Sequence, residues 1–175
     1  MARDLMYSTT LDFPFGSIFL AKTNKGLSDA HYLKSRADVD HMMGNFERMA
    51  IPLEMNESKF KDEKQLFQRY FAGKREDFRS LRLDFRTGTP FQKSVWREAR
   101  KIPYGKTESY KSLAEKISTR GYRSVGHALG HNPLLIIIPC HRVIGSDGSL
   151  VGFGAGLNIK RFLLDLEQGK TASSD

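Results

Sequence analysis

The chain holds a single cysteine among 175 residues. One thiol excludes an internal disulfide and any zinc site built from several thiolates. No metal is therefore expected, and no cofactor motif is present. There is no GxxxxGK[ST] phosphate loop, and the five histidines, at 31, 41, 127, 131 and 141, form no HExxH motif. No apolar run is long enough to span a bilayer, and the opening MARDLMYSTTLD lacks the apolar core of a signal peptide. Repeats and low-complexity tracts are missing as well. At 39% hydrophobic and 27% charged residues, the composition suits one large or two small globular domains. A reducing cytoplasm is the expected setting, or the nucleus in a eukaryote.

The charge is uneven. Residues 1–85 carry 14 Lys+Arg against 13 Asp+Glu, a net of +1, whereas residues 86–175 carry 14 against 7, a net of +7. The basic excess lies in the half that holds the cysteine. Such a half suits an anionic partner, most often nucleic acid.

In the first half, residues 5–11, 16–22 and 27–33 read as a small antiparallel meander. Residues 38–50 and 60–72 read as helices. In the second of these, Phe60, Leu66, Phe67, Tyr70 and Phe71 make an apolar face that reads as core. LRLDF at 81–85 alternates and predicts one more strand. RTGTP at 86–90 reads as a linker, with Thr89 as N-cap and Pro90 in the first helical position. This half shows no catalytic constellation.

The second half is richer. FQKSVWREARKI (91–102) is an amphipathic helix. Tyr110, Leu113, Ala114 and Ile117 then share one helix face. A short turn at 118–121 leads to a helix that puts Val125, Ala128 and Leu129 inward and Arg123, His127 and Gly130 outward. Two short helices across a glycine turn are a helix-turn-helix pattern. The small residues Ser124, Gly126 and Gly130 around Arg123 would let that outer face approach a groove closely.

LLIIIPCHRVIG (134–145) follows. The five apolar residues read as a fully buried strand ended by Pro139. Cys140 sits just beyond it, beside His141. The thiolate is the reactive form of cysteine, and an imidazole can help to make it. Neighbours on an extended chain point to opposite faces, so His141 would reach Cys140 only indirectly. GSDGSLVGFGAG (145–156) offers a turn between two short strands and then a loop whose backbone can approach a ligand. Residues 157–169 form a last helix with Ile159, Phe162, Leu163 and Leu166 on one face. Glu167, near its end, opposes the helix dipole and so calls for a partner. A nucleophile beside a DNA-reading helix suggests chemistry on a base, which must first leave the stack.

IPCHRV (138–143), YGKTESY (104–110), RSVGHALGHNP (123–133) and GLNIKRFLLDLE (156–167) resemble, in order, the motifs of the 6-O-alkylguanine-DNA alkyltransferases, also called methylated-DNA–protein-cysteine methyltransferases. The resemblance covers most of residues 89–169. It implies an α/β (α+β) fold: residues 1–85 as a small antiparallel-sheet and helix domain of mainly structural role, then residues 89–169 as a mostly helical, winged helix-turn-helix-like domain, with 170–175 a disordered tail. It also implies that a 6-O-alkylguanine, or a 4-O-alkylthymine, is flipped from double-stranded DNA. The alkyl group then passes irreversibly to Cys140, once per molecule, with the protein acting as a monomer.

The residue roles carried by the resemblance are these. His141 acts on Cys140 through water, and Glu167 orients the imidazole. Tyr110 hydrogen-bonds the guanine and crowds its phosphate. Arg123 fills the vacated stack from the minor groove, with Ser124, Gly126, His127 and Gly130 on the DNA face. Phe153, Gly154, Ala155 and Val143 bind the base, with Lys160 supporting that loop. Asn132 and Arg142 are structural. Family members often carry Tyr-Ser-Gly where this chain has Phe153-Gly154-Ala155, which removes a serine hydroxyl contact. Two rival readings are a helix-turn-helix regulator, or lesion-flagging protein, without alkyl transfer, and a cysteine hydrolase using Cys140 and His141.

Overall fold

The computed structural model describes residues 5–170; the expected tail at 170–175 lies, but for Lys170, outside the described residues. The chain divides into two compact units, residues up to 67 with 78–86, and residues 68–77 with those from 87 onward.

The first unit is built on a four-stranded sheet. β1 (Met6–Phe13), β2 (Gly16–Lys22) and β3 (Leu27–Leu33) form the meander, and β4 (Leu53–Met55) adds to β1 in parallel, giving the order β3-β2-β1-β4. β4, three residues long, is too short to show alternation and was not foreseen. α1 (Arg36–Arg48) starts two residues earlier than the apolar spacing suggests. Ser35 sets the start, because its side chain accepts from the Asp38 amide while Asp38 accepts from the Ser35 amide. Phe46 of α1 packs on Phe19, with ring centroids 5.8 Å apart, in a core with Met6, Ala21, Leu33 and Ile51. Residues 81–85 do not form a strand. They make one parallel bridge, Leu27 to Leu83, in which the Leu27 amide donates to the Arg82 carbonyl and the Leu27 carbonyl accepts from the Asp84 amide.

α2 (Lys61–Phe71) runs across the division, so that Tyr70 belongs with the second unit. There, α3 (Pro90–Ala99) opens on a Thr89–Gln92 capping box with Pro90 in its first turn. Trp96 of α3 is buried, and its indole N–H donates to the Ala128 carbonyl at 2.8 Å. That bond ties α3 to α5 (Tyr122–Gly130), which follows α4 (Tyr110–Lys116). β5 (Glu108–Ser109) and β6 (Val143–Ile144) pair in parallel, and α6 (Leu157–Glu167) closes the unit. The turn at 146–148 forms, with the Gly145 amide donating to the Ser149 carbonyl, but no second strand follows it.

The apolar run 134–138 is buried as expected but is not a strand. It closes on itself: the Ile138 amide donates to the Leu134 carbonyl at 2.9 Å, and Ile136 takes a left-handed φ of 70°. Asn132 enforces the reversal. Its amide nitrogen donates to the Ile138 carbonyl at 2.8 Å, and its oxygen accepts from the Leu134 amide at 2.9 Å. A side chain has taken the place of a neighbouring strand in satisfying this backbone.

A β-branched residue in the left-handed region is strained by about 1–2 kcal/mol. Replacing a side chain only 1% exposed by a smaller one costs about 2–5 kcal/mol. Packing outweighs strain, so Ile136→Gly is expected to destabilise the protein by roughly 1–3 kcal/mol in urea unfolding. A gain in stability would mean that backbone strain dominates at this turn.

Candidate active site

Cys140 opens a short 3-10 turn, Cys140–Arg142, immediately after the buried reversal. The chain is coiled here rather than extended, and this sends the three side chains in different directions. Cys140 is 8% exposed and lies in the wall of a cavity of about 1010 Å³. His141 and Arg142 point into the protein, 0% and 2% exposed.

Both meet Glu167, whose carboxylate takes five donors. Oε1 accepts from His141 Nε2 at 2.7 Å, Tyr70 Oη at 2.7 Å and Arg142 Nη2 at 2.9 Å. Oε2 accepts from Arg142 Nε at 2.8 Å and the Gly105 amide at 3.0 Å. Arg142 also donates to the Ile102 carbonyl at 2.6 Å. Glu167 does have the partner that its place near a helix C-terminus demanded. Burial alone would raise its pKa, but the bonds and charges of His141 and Arg142 hold it well below the usual carboxylate range. An ionised carboxylate has no proton to share, so the proton on the His141 contact is on Nε2. Nδ1 is then the acceptor, and it is buried with no hydrogen-bond partner. Burial lowers the His141 pKa, against the opposing pull of Glu167, and keeps the imidazole neutral near pH 7.

Burial likewise raises the Cys140 thiol, with the Asn132 contact and the Lys160 charge acting the other way. Asn132 Nδ2 lies 3.2 Å from Cys140 Sγ, so the side chain that shapes the reversal also touches the sulfur. Lys160 is fully buried and donates to the carbonyls of Val143 at 2.6 Å and Val151 at 3.0 Å. Tyr110 Oη donates to the same Val151 carbonyl at 2.8 Å. These bonds anchor the start of the glycine loop against α4 and β6.

The cavity brings together Tyr110, Arg123, Gly126, Gly130, Phe153 and Gly154 with Cys140. Ser124 and His127 are exposed on α5 but border a separate cavity against α3. Val143 is completely buried and contributes its carbonyl, and Ala155 lies beyond the lining. A Cβ at Gly126 would only touch the Tyr110 ring at 3.6 Å, and one at Gly130, Gly152 or Gly154 would meet nothing within 4 Å. Folding therefore does not require glycine at these positions for want of space. Among the described residues no group of three or more His, Cys, Asp or Glu side chains converges to hold a metal ion, and no helix is long and apolar enough to cross a membrane. Tyr70 and Gly105 were not foreseen as site residues. The available signal was a tyrosine on an otherwise phenylalanine- and leucine-rich face, since a buried phenol needs a partner.

Both halves of the chain match known proteins. Residues 90–169 match the DNA binding domain of 6-O-methylguanine DNA methyltransferase, and residues 6–85 match its ribonuclease-like domain. A methylated-DNA–protein-cysteine methyltransferase of Methanosarcina barkeri is 45% identical over 166 residues, covering 93% of this chain and 98% of its own. The Mycobacterium tuberculosis protein of that name is 38% identical over 167 residues, covering 95% and 94%. The fold matches the crystal structure of M. tuberculosis OGT in complex with DNA at a TM-score of 0.79 and 36% identity, covering 97% of this chain and 96% of the other. The chain belongs to the 6-O-methylguanine DNA methyltransferase family.

Glu167 is ionised in the folded protein well below its ordinary pKa of 4.5, so its contribution is complete above that value and is lost as the pH falls toward the folded one. His141, lowered from 6.5, acts in the same direction: the unfolded chain binds its proton first, and acid favours unfolding. Stability is expected to fall from neutral pH downward. Glu167→Gln is expected to lose about 3–5 kcal/mol at pH 7, because it leaves Arg142 buried without its counter-charge. That deficit should narrow below about pH 4. A deficit independent of pH in urea titrations would refute the ionic account.

Proposed function

We propose that this protein repairs DNA by transferring an alkyl group from the 6-oxygen of guanine to Cys140, irreversibly and once per molecule. The observation that carries the reading is the sulfur in the cavity wall, backed by a neutral imidazole whose only open nitrogen is an acceptor. An alkyl ether is a poor electrophile, so the thiol must ionise and the leaving base must be stabilised. His141 Nδ1 takes the thiol proton through one water. Sγ attacks the alkyl carbon, and the C–O bond breaks with its electron pair remaining on the guanine oxygen. Tyr110 turns its hydroxyl from Val151 toward the base and helps it to leave, and the proton held on His141 ultimately reaches the released guanine. The thioether stays on Cys140, and no second thiol is present to remove it.

DNA is the partner. α4 and α5 serve as the helix-turn-helix, with α5 laid in the minor groove, where readout is nearly independent of sequence. Arg123 enters the stack as the alkylated nucleotide rotates out, which offsets part of the few kcal/mol of unstacking. Glycine at 126 and 130 keeps that face low, which the spare room around both positions supports. Phe153 and Gly154 line the base pocket, and 4-O-alkylthymine is the expected minor substrate. The protein acts as a monomer in a compartment that keeps its thiol reduced. The regulator and lesion-flagging readings leave the Cys140–His141–Glu167 arrangement without a task.

Incubation with duplex DNA bearing one 6-O-methylguanine is expected to add one methylene mass to Cys140, with a plateau at one per protein. Cys140→Ser should gain none. Retained DNA binding with no mass gain in the unaltered protein would favour lesion flagging instead. Arg123→Ala is expected to slow repair of duplex by roughly tenfold or more while sparing transfer from the free alkylated base, which needs no flipping. Equal losses on both substrates would sink the intercalation role.

A further inference from the structure

Tyr70 is a completely buried phenol whose hydroxyl the reaction above leaves unused. Its Oη donates to Glu167 Oε1 at 2.7 Å and lies 3.4 Å from His141 Nε2. The single hydroxyl proton goes to the carboxylate, so Oη can offer Nε2 only a lone pair. That is compatible with an N–H on Nε2 and repels an unprotonated nitrogen there. Tyr70 therefore favours the one tautomer that leaves Nδ1 free to accept. A Phe at this site would fill nearly the same volume, so the hydroxyl calls for an explanation other than packing.

Several charges bear on the imidazole. Glu167 of α6 favours the charged ring, whereas Arg142 from its own turn and Lys160 of α6 oppose it. Cys140 precedes it in the chain, and the Tyr104 ring packs edge-on to Tyr70 at 6.0 Å. Tyr70 is neutral, so losing its hydroxyl changes the demand on Glu167 without moving a charge. Burial and the neighbouring Glu167 push its phenol well above the ordinary value, so it stays a donor throughout the working range.

We propose that Tyr70 is a positioning residue for the alkyl transfer: by sharing Glu167 it restrains the basicity of the His141 ring, and its lone pair supports the Nε2–H form that Glu167 sets. The inference rests on the alkyl-transfer reading. It also assigns a task in the site to residue 70, which falls in the match to the ribonuclease-like domain, 6–85, rather than in the match to the DNA binding domain, 90–169.

The test uses full-length protein and Tyr70→Phe, labelled with 15N-histidine. With one donor fewer, Glu167 pulls harder on the imidazole proton. The His141 titration midpoint is expected to rise by about half a pH unit or more, and the acid limb of single-turnover methyl transfer to rise with it. An unchanged midpoint and limb, with only a lower Tm, would reduce Tyr70 to packing and overturn the inference. A shifted midpoint in a protein that transfers no alkyl group at all would instead overturn the alkyl-transfer reading and keep Tyr70's hold on the ring. Should the phenylalanine variant fail to fold, 3-fluorotyrosine at position 70, a stronger donor of similar shape, is expected to move the midpoint down; no movement would refute the proposal.

Discussion

The second unit depends on a buried negative charge. Glu167 is 6% exposed, a position where an isolated carboxylate would protonate rather than stay ionised. It stays ionised because Arg142 supplies a two-pronged counter-charge, and because Tyr70, His141 and the Gly105 amide fill the remaining acceptor positions. The donors come from three separate parts of the chain: the end of α2, the turn after α3, and the 3-10 turn that carries the cysteine. A buried ion pair of this kind is weak evidence for stability as such, since apolar replacements often serve as well. Its value lies in the geometry it imposes. Once Glu167 is fixed, the imidazole can present only Nδ1 to the rest of the site.

Asn132 imposes the complementary constraint on the sulfur. The same amide that closes the 134–138 reversal touches Sγ, so backbone shape and thiol position are set by one side chain. A bulkier sulfur would press on this arrangement. Lys160 does the equivalent for the glycine loop, joining Val143 beside the active turn to Val151 at the loop's start. The nucleophile, the imidazole and the loop are each held by a polar side chain, Asn132, Glu167 and Lys160 in turn.

These same features show what could be read from the sequence. The meander and all six helices were legible within a few residues, because amphipathic periods and caps are local signals. α1 shifted by two residues because the Ser35–Asp38 box, and not the apolar spacing, sets its start. The run 134–138 misled for a physical reason. A continuous β-branched stretch reports burial, and burial alone does not distinguish a strand from a reversal whose partner is the side chain of Asn132. Cys140, His141, Arg123 and Tyr110 were legible because their motifs are contiguous. The need of Glu167 for a partner was legible from its place on α6. The resemblance supplied His141 as one partner; Tyr70 was not legible as another, because it lies 97 residues away on a face that read as core.

The directions of the two central pKa shifts bear on selectivity. Burial raises the Cys140 thiol and lowers the His141 imidazole, so proton transfer from one to the other is uphill in the resting protein. A thiolate formed beforehand would be open to oxidants and to any passing electrophile. In the proposed reaction the thiol stays protonated until an alkyl carbon is in place to receive the sulfur's electrons and a base oxygen is in place to take up the displaced pair. Charge is then needed only transiently, where Tyr110 and the loop can meet it. The end state is a neutral thioether beside a neutral imidazole, which leaves no charge buried in the cavity wall. The burial that makes the resting thiol inert therefore also favours completion of the transfer, and the reverse step would require forming a buried thiolate without the imidazolium that accompanied its creation.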